Sequence, residues 1–125
     1  TLDDPRVITA TRSGTDPLFA ADYVITDYST VMYEAGLMGM PVYLYAYDWD
    51  TYHEKRSFNI DLARDVPTLF TNDAAAIATA IDLDQFDEQA FARFTESNIA
   101  ALAGESAAQH LTRRIIALAE EQPPR

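Results

Sequence analysis

Apolar positions in this chain switch repeatedly between short continuous runs and helical spacing, a pattern that predicts strands handing over to helices. Arg6-Val7-Ile8-Thr9 is a short β-type run, and Thr11-Arg12-Ser13-Gly14 reads as loop. Thr15 or Asp16 can cap a short helix with Pro17 in its first turn, sending Leu18, Phe19, Ala20 and Ala21 inward. A second strand runs from Tyr23 to Thr26. The polar set Thr26-Asp27-Tyr28-Ser29-Thr30 ends it, after which Val31, Met32, Ala35 and Met38 recur at helical spacing and predict a helix over 30–39. Gly39 suits a left-handed terminator, and Pro41 prevents continuation.

Val42-Tyr43-Leu44-Tyr45 is a third strand, apolar on both faces as in a covered parallel sheet. Strand, helix and strand in this order imply a right-handed crossover, with ligands beyond the carboxyl ends of the strands. Segments 26–30 and 47–49 both fall at those ends and should converge on one crevice. A short helix is expected from Asp48 onward. Leu69-Phe70 makes a minimal last strand, and Thr71-Asn72-Asp73 starts a helix that runs to Ile81 before Asp82-Leu83-Asp84 breaks it. Phe86, Phe91 and Phe94 mark a further helix. Ser106 and Gln109 form a capping box for the last one, whose inner face carries Leu111, Ile115, Leu118 and Ala119. Pro123-Pro124 ends the order, leaving 121–125 as a disordered tail.

The chemistry of the chain concentrates where the second strand becomes a helix. The first N–H groups of a helix lack internal partners and carry partial positive charge, and Ser29 and Thr30 add hydroxyls that either cap the helix or bind an oxyanion. Structural capping and phosphate binding both fit the local pattern. Asp48 and Asp50 do not make a metal pair without a third ligand nearby, so Asp48 is read as capping the next helix or orienting Tyr52 and Arg56. His53 reads as a surface residue, and His110 as buried in the last helix.

Composition narrows the class. A chain of 125 residues that is 48% hydrophobic is one domain by length, with a real core. Cysteines are absent, which excludes disulfides, thiolate metal sites and cysteine nucleophiles. The formal net charge of -11, from 20 acidic against 9 basic residues, argues against a nucleic-acid or anionic-membrane surface. It also weakens a phosphate site, although screening over ~8 Å leaves the local N–H groups dominant. The longest apolar run, 37–47, is split by Pro41 and is shorter than the ~20 residues that span a bilayer. No secretory signal pattern opens the chain, and cytoplasmic is the default expectation.

Thr26-Asp27-Tyr28-Ser29-Thr30-Val31-Met32-Tyr33-Glu34 resembles the T-D-Y-S-S-V-x-F-D signature of the CDP-glycerol glycerophosphotransferase family, the enzymes that build teichoic acid in bacterial cell walls. Pro41-Val42-Tyr43-Leu44-Tyr45-Ala46-Tyr47-Asp48, then Tyr52 and Arg56, resemble the family's P-I-x-F-Y-x-Y-D, a following Tyr and an Arg-Gly-Phe element. The likeness covers about residues 3–82. Thr30 replaces a Ser and Glu34 an Asp, each keeping its functional group, whereas Ser57 and Thr68 stand where the family usually has Gly.

The resemblance implies an α/β fold: a three-layer Rossmann-like domain with a short parallel sheet and C-terminal helices, the second half of a GT-B pair. On this reading residues 1–125 are one nucleotide-binding domain of a larger two-domain transferase. The donor is CDP-glycerol, with no cofactor and no metal. Ser29, Thr30 and Arg56 would hold the phosphates and Glu34 the ribose hydroxyls, with Asp27, Tyr28 and Asp48 in support. Each has a blander alternative. Glu34 suits the helix dipole as a first-turn acid, Arg56 suits a solvated surface, and Tyr28 suits either a base pocket or the core. Asp27 is read as a turn-former whose carboxylate fixes the Ser29 and Thr30 N–H groups, since an acid facing a diphosphate would repel it.

Catalytic residues are expected outside this chain, in a missing N-terminal Rossmann-like domain and an R-x-H-P element upstream of Thr1. The other partner is a polyol-phosphate acceptor, with no nucleic acid and no direct membrane contact from this segment; the whole enzyme would be peripheral at the inner membrane face. A UDP-sugar glycosyltransferase or sugar 2-epimerase of the same design is the nearest rival. A non-catalytic α/β interaction module is the rival from another class.

Overall fold

A computed structural model describes residues 6–7, 16–56, 58–99 and 104–121. The run Val42-Tyr43-Leu44-Tyr45 forms its central strand. Strands β1 (Val24–Thr26), β2 (Val42–Tyr45) and β3 (Phe70–Thr71) are parallel and lie in the order β1-β2-β3, with Val24 opposite Val42 and Leu44 opposite Phe70. Strand period sends Val42 and Leu44 to one face and Tyr43 and Tyr45 to the other.

Val42 and Leu44 pack with Met32 and Ala35 of α1 (Val31–Leu37), Leu62 of α3 (Leu62–Asp65), and Phe91 and Phe94 of α5 (Glu88–Asn98). Tyr43 packs with Ile77 and Ala80 of α4 (Ala74–Asp82) on the opposite face. Helices, sheet and helix therefore make three layers, as expected for a Rossmann-like domain. Burying a side chain as completely as Leu44 contributes about 2 kcal/mol relative to leaving it exposed.

Side-chain caps fix where the outer helices begin. Asp73 Oδ1 accepts from the Ala75 N–H at 2.9 Å, and Asp87 Oδ1 from the Ala90 N–H at 2.8 Å. α1 approaches α5 closely because Gly36 lacks a side chain: a Cβ there would overlap Thr95 Oγ1 and lie 3.0 Å from Phe91 Cε1. Gly39, at φ +71°, terminates α1 in the left-handed conformation expected of it. Asp84, at φ 51°, marks the break after α4.

Several expectations change. The helix predicted over 30–39 is shorter, Val31–Leu37, and the strand predicted from Tyr23 starts at Val24. Asp16–Ala20 is a 3₁₀ turn that buries Leu18 alone, leaving Phe19 81% exposed and Ala20 and Ala21 on the surface. Thr68, one of the two residues standing where the resembled family usually has Gly, keeps negative φ and donates its hydroxyl to the Val42 carbonyl. The last helix, α6 (Ala107–Glu121), carries its capping box: Ser106 N–H donates to Gln109 Oε1 at 2.8 Å and Gln109 N–H to Ser106 Oγ at 3.3 Å.

Its apolar stripe is not an inner face. Leu111, Ile115 and Leu118 are all exposed, because α6 buries no residue among the described ones. His110 is half-exposed rather than buried, with Nδ1 2.8 Å from Glu105 Oε1. Short helix α2 (Trp49–Tyr52) follows Asp48, as expected. Of the predicted run 6–9 only Arg6 and Val7 are described, neither as strand, and residues 8–9, loop 11–14 and most of the tail lie outside the described residues. Among the described residues no helix is long and apolar enough to cross a membrane.

Candidate functional site

Parallel register brings the carboxyl ends of β1 and β2 side by side, and a crevice of about 450 Å³ opens there. Thr26, Asp27 and Ser29 line one wall, Tyr45 and Tyr47 the other. The segments around Ser29 and Tyr47, distant in sequence, thus meet as the topology requires.

The wall after β1 is a tight turn. Asp27 Oδ1 accepts the Ser29 N–H at 3.0 Å, which is the turn-forming role expected of that carboxylate. It does not also hold Thr30. Ser29 Oγ accepts from the Val31 N–H at 3.4 Å, a long, cap-like bond. Thr30, at the N-cap with φ -62° and ψ -11°, makes no side-chain cap bond. Among the described residues its N–H and hydroxyl have no hydrogen-bond partner. Ser29 is therefore partly explained as a cap, and Thr30 is not. Glu34 lies one turn into α1, exposed to solvent.

Behind this turn, Tyr28 answers a question the sequence leaves open: its ring packs inward. It lies 4.6 Å from the Tyr52 ring, 5.2 Å from Trp49 and 5.9 Å from Phe58, in a cluster that packs against the core. Its hydroxyl donates to Asp48 Oδ1 at 2.9 Å. Burial, followed by that hydrogen bond and the Asp48 charge, raises the Tyr28 pKa well above the ordinary phenol value. Asp48 occupies the N-cap of α2, yet its side chain makes no cap bond there because it is turned toward Tyr28 instead. The expectation that it caps that helix is corrected.

Arg56 is exposed and lines a different depression, with His53, Phe58 and Asp61. That depression shares no lining residue with the crevice beside Ser29, so the structure does not bring Arg56 to it. His53 is at the surface, stacked on Trp49 with Nδ1 2.7 Å from the Trp49 carbonyl oxygen. No cluster of three metal-ligating side chains exists among the described residues. A second hollow of about 390 Å³, not among the sequence expectations, lies beyond β2 and β3, where Asp50, Thr71 and Asn72 stand with Tyr47. Strand polarity signals it, since Thr71 ends β3 and Asn72 follows it, as Tyr47 follows β2.

Residues 5–117 match the family described as CDP-Glycerol:Poly(glycerophosphate) glycerophosphotransferase. The chain belongs to this glycerophosphotransferase family. Among curated relatives of this family member is the teichoic acid glycerol-phosphate transferase of Staphylococcus aureus, 37% identical over 76 residues, which are 60% of this chain and 19% of the relative. The teichoic acid ribitol-phosphate polymerase TarK of the same organism is 28% identical over 87 residues, covering 70% of this chain and 17% of its own. The chain thus spans about a fifth or less of the length of these relatives. The wall teichoic acid polymerase TagF superposes on 84% of this chain with a TM-score of 0.56 and 24% identity, using 27% of its own length. That likeness supports the Rossmann-like, GT-B-type fold.

Proposed function

We propose that this chain is the donor-nucleotide-binding half of a polyol-phosphate transferase of teichoic acid synthesis, with CDP-glycerol as donor. The observation that carries the reading is the unused donor pair of Thr30, N–H and hydroxyl, at a helix start beside the crevice beyond β1 and β2. Ser29 and Thr30 bind the diphosphate and neutralise charge that grows on the departing CMP. Asp27, on the wall of the same crevice, accepts the Ser29 N–H, which offsets part of its charge.

Glu34 accepts hydrogen bonds from the ribose diol. Tyr28 and Asp48 hold the two strand ends in register. Arg56, which lines a separate depression, takes no part in the diphosphate site. In the transfer, an acceptor hydroxyl attacks the glycerol-bearing phosphorus, the bond to CMP breaks, and the hydroxyl proton passes to a base. That base is a histidine of a second Rossmann-like domain, and the acceptor is a polyol phosphate.

Calorimetric titration with CDP-glycerol, CDP and UDP-sugars tests the donor. CDP-glycerol is expected to bind in preference to any uridine ligand. A clear preference for a UDP-sugar overturns the reading in favour of a glycosyltransferase.

A further inference from the structure

We infer that the hollow beyond β2 and β3 takes the polyol of the donor, with Asp50, Thr71 and Asn72 reading its hydroxyls. The inference rests on the diphosphate assignment above and extends it to the transferred group.

Order along the ligand matches order across the sheet. The donor runs from ribose through two phosphates to a polyol, and the ribose and phosphate groups are assigned to α1 and the end of β1. With the phosphates at the end of β1, the edge of the sheet, the hollow beyond β2 and β3 is the neighbouring space that the group beyond them can enter. Tyr47, 63% exposed, lines both the crevice beside Ser29 and this second hollow, so the two adjoin at its side chain.

The lining has the chemistry of a polyol site. Among the described residues the side chains of Asp50 and Asn72 have no hydrogen-bond partner, and both are exposed. Thr71 Oγ1 already accepts the Asp73 N–H at 3.1 Å, which leaves its proton to donate. Trp49 and Phe70, edge-on with ring centroids 5.0 Å apart, give the same hollow an apolar side for the carbon chain. The Asp50 carboxylate repels a phosphate and accepts from a hydroxyl, so it favours the neutral end of the donor here. A volume of about 390 Å³ exceeds what a three-carbon polyol fills.

Titration with CDP-glycerol and with the propyl ester of CDP, which has the same charge but neither free hydroxyl, separates this site from the diphosphate site. The native chain is expected to bind the glycerol ester about tenfold more tightly. In the Asp50→Ala/Asn72→Ala variant the two esters should bind within about twofold of each other, with the propyl ester unchanged. Equal affinity of the two esters for the native chain, persistence of the gap in the variant, or an equal loss for both esters overturns the polyol site and leaves the diphosphate reading standing. Failure of both esters to bind the native chain overturns that reading, and this one with it.

Discussion

The Tyr28 hydroxyl donates a 2.9 Å hydrogen bond to Asp48 Oδ1, linking residues on the two loops that leave β1 and β2. Each loop supplies one wall of the crevice, Asp27 and Ser29 on one side and Tyr47 on the other. The bond therefore holds the crevice walls together from behind, and its polar atoms are drawn from neither wall's surface.

Tyr28→Phe removes that bond and keeps the ring in its aromatic cluster. The expected loss of stability is about 1 kcal/mol, measured by urea unfolding. An unchanged midpoint would mean the pair does not tie the loops.

The same pair sets a pH dependence. Tyr28 has a folded-state pKa raised, chiefly by burial and then by Asp48, above the phenol value of about 10. Its stabilisation is fully present below that unfolded value and is lost as pH rises through the folded one. The stability difference between the native chain and Tyr28→Phe should be constant near neutrality and shrink above pH ~10. A difference that grows with alkalinity would reverse the assigned direction.

Gly36 and Gly39 should respond to alanine for different reasons. Gly36→Ala drives a methyl against Thr95 Oγ1 and Phe91, and is expected to destabilise by about 1–3 kcal/mol. Gly39→Ala meets nothing within 4 Å and loses only the ease of φ +71°, about 1 kcal/mol. Adding Thr95→Ala, which removes a buried hydroxyl with no partner, should rescue Gly36→Ala and leave Gly39→Ala unrelieved. Paired denaturation curves check both arms.

How much of this was legible depends on whether the signal was local. Strand polarity, the Ser106–Gln109 box and Gly39 could be read directly, since each rests on residues within one turn or run. The Tyr28–Asp48 pair could not, because 20 residues separate its members and either side chain had a local alternative. Phe19 misled because hydrophobicity alone does not say which side of a 3₁₀ turn faces the core. On α6 the amphipathic stripe at Leu111, Ile115 and Leu118 is legible as a stripe, yet periodicity carries no information about whether anything covers it. At the site, the sequence marked Ser29 and Thr30 together. Only the geometry distinguishes Ser29, which serves as a cap, from Thr30, which does not.

The central claim is that the β1–α1 junction grips a diphosphate, and one pair of measurements on Ser29→Ala/Thr30→Ala tests it. Loss of the Ser29 cap should lower the melting temperature by a few degrees, whatever the site does. Binding of CDP-glycerol, followed by calorimetry below that temperature, is predicted to weaken about tenfold or more. If the melting temperature falls while the affinity for CDP-glycerol is retained, the hydroxyls are caps alone and the account is contradicted.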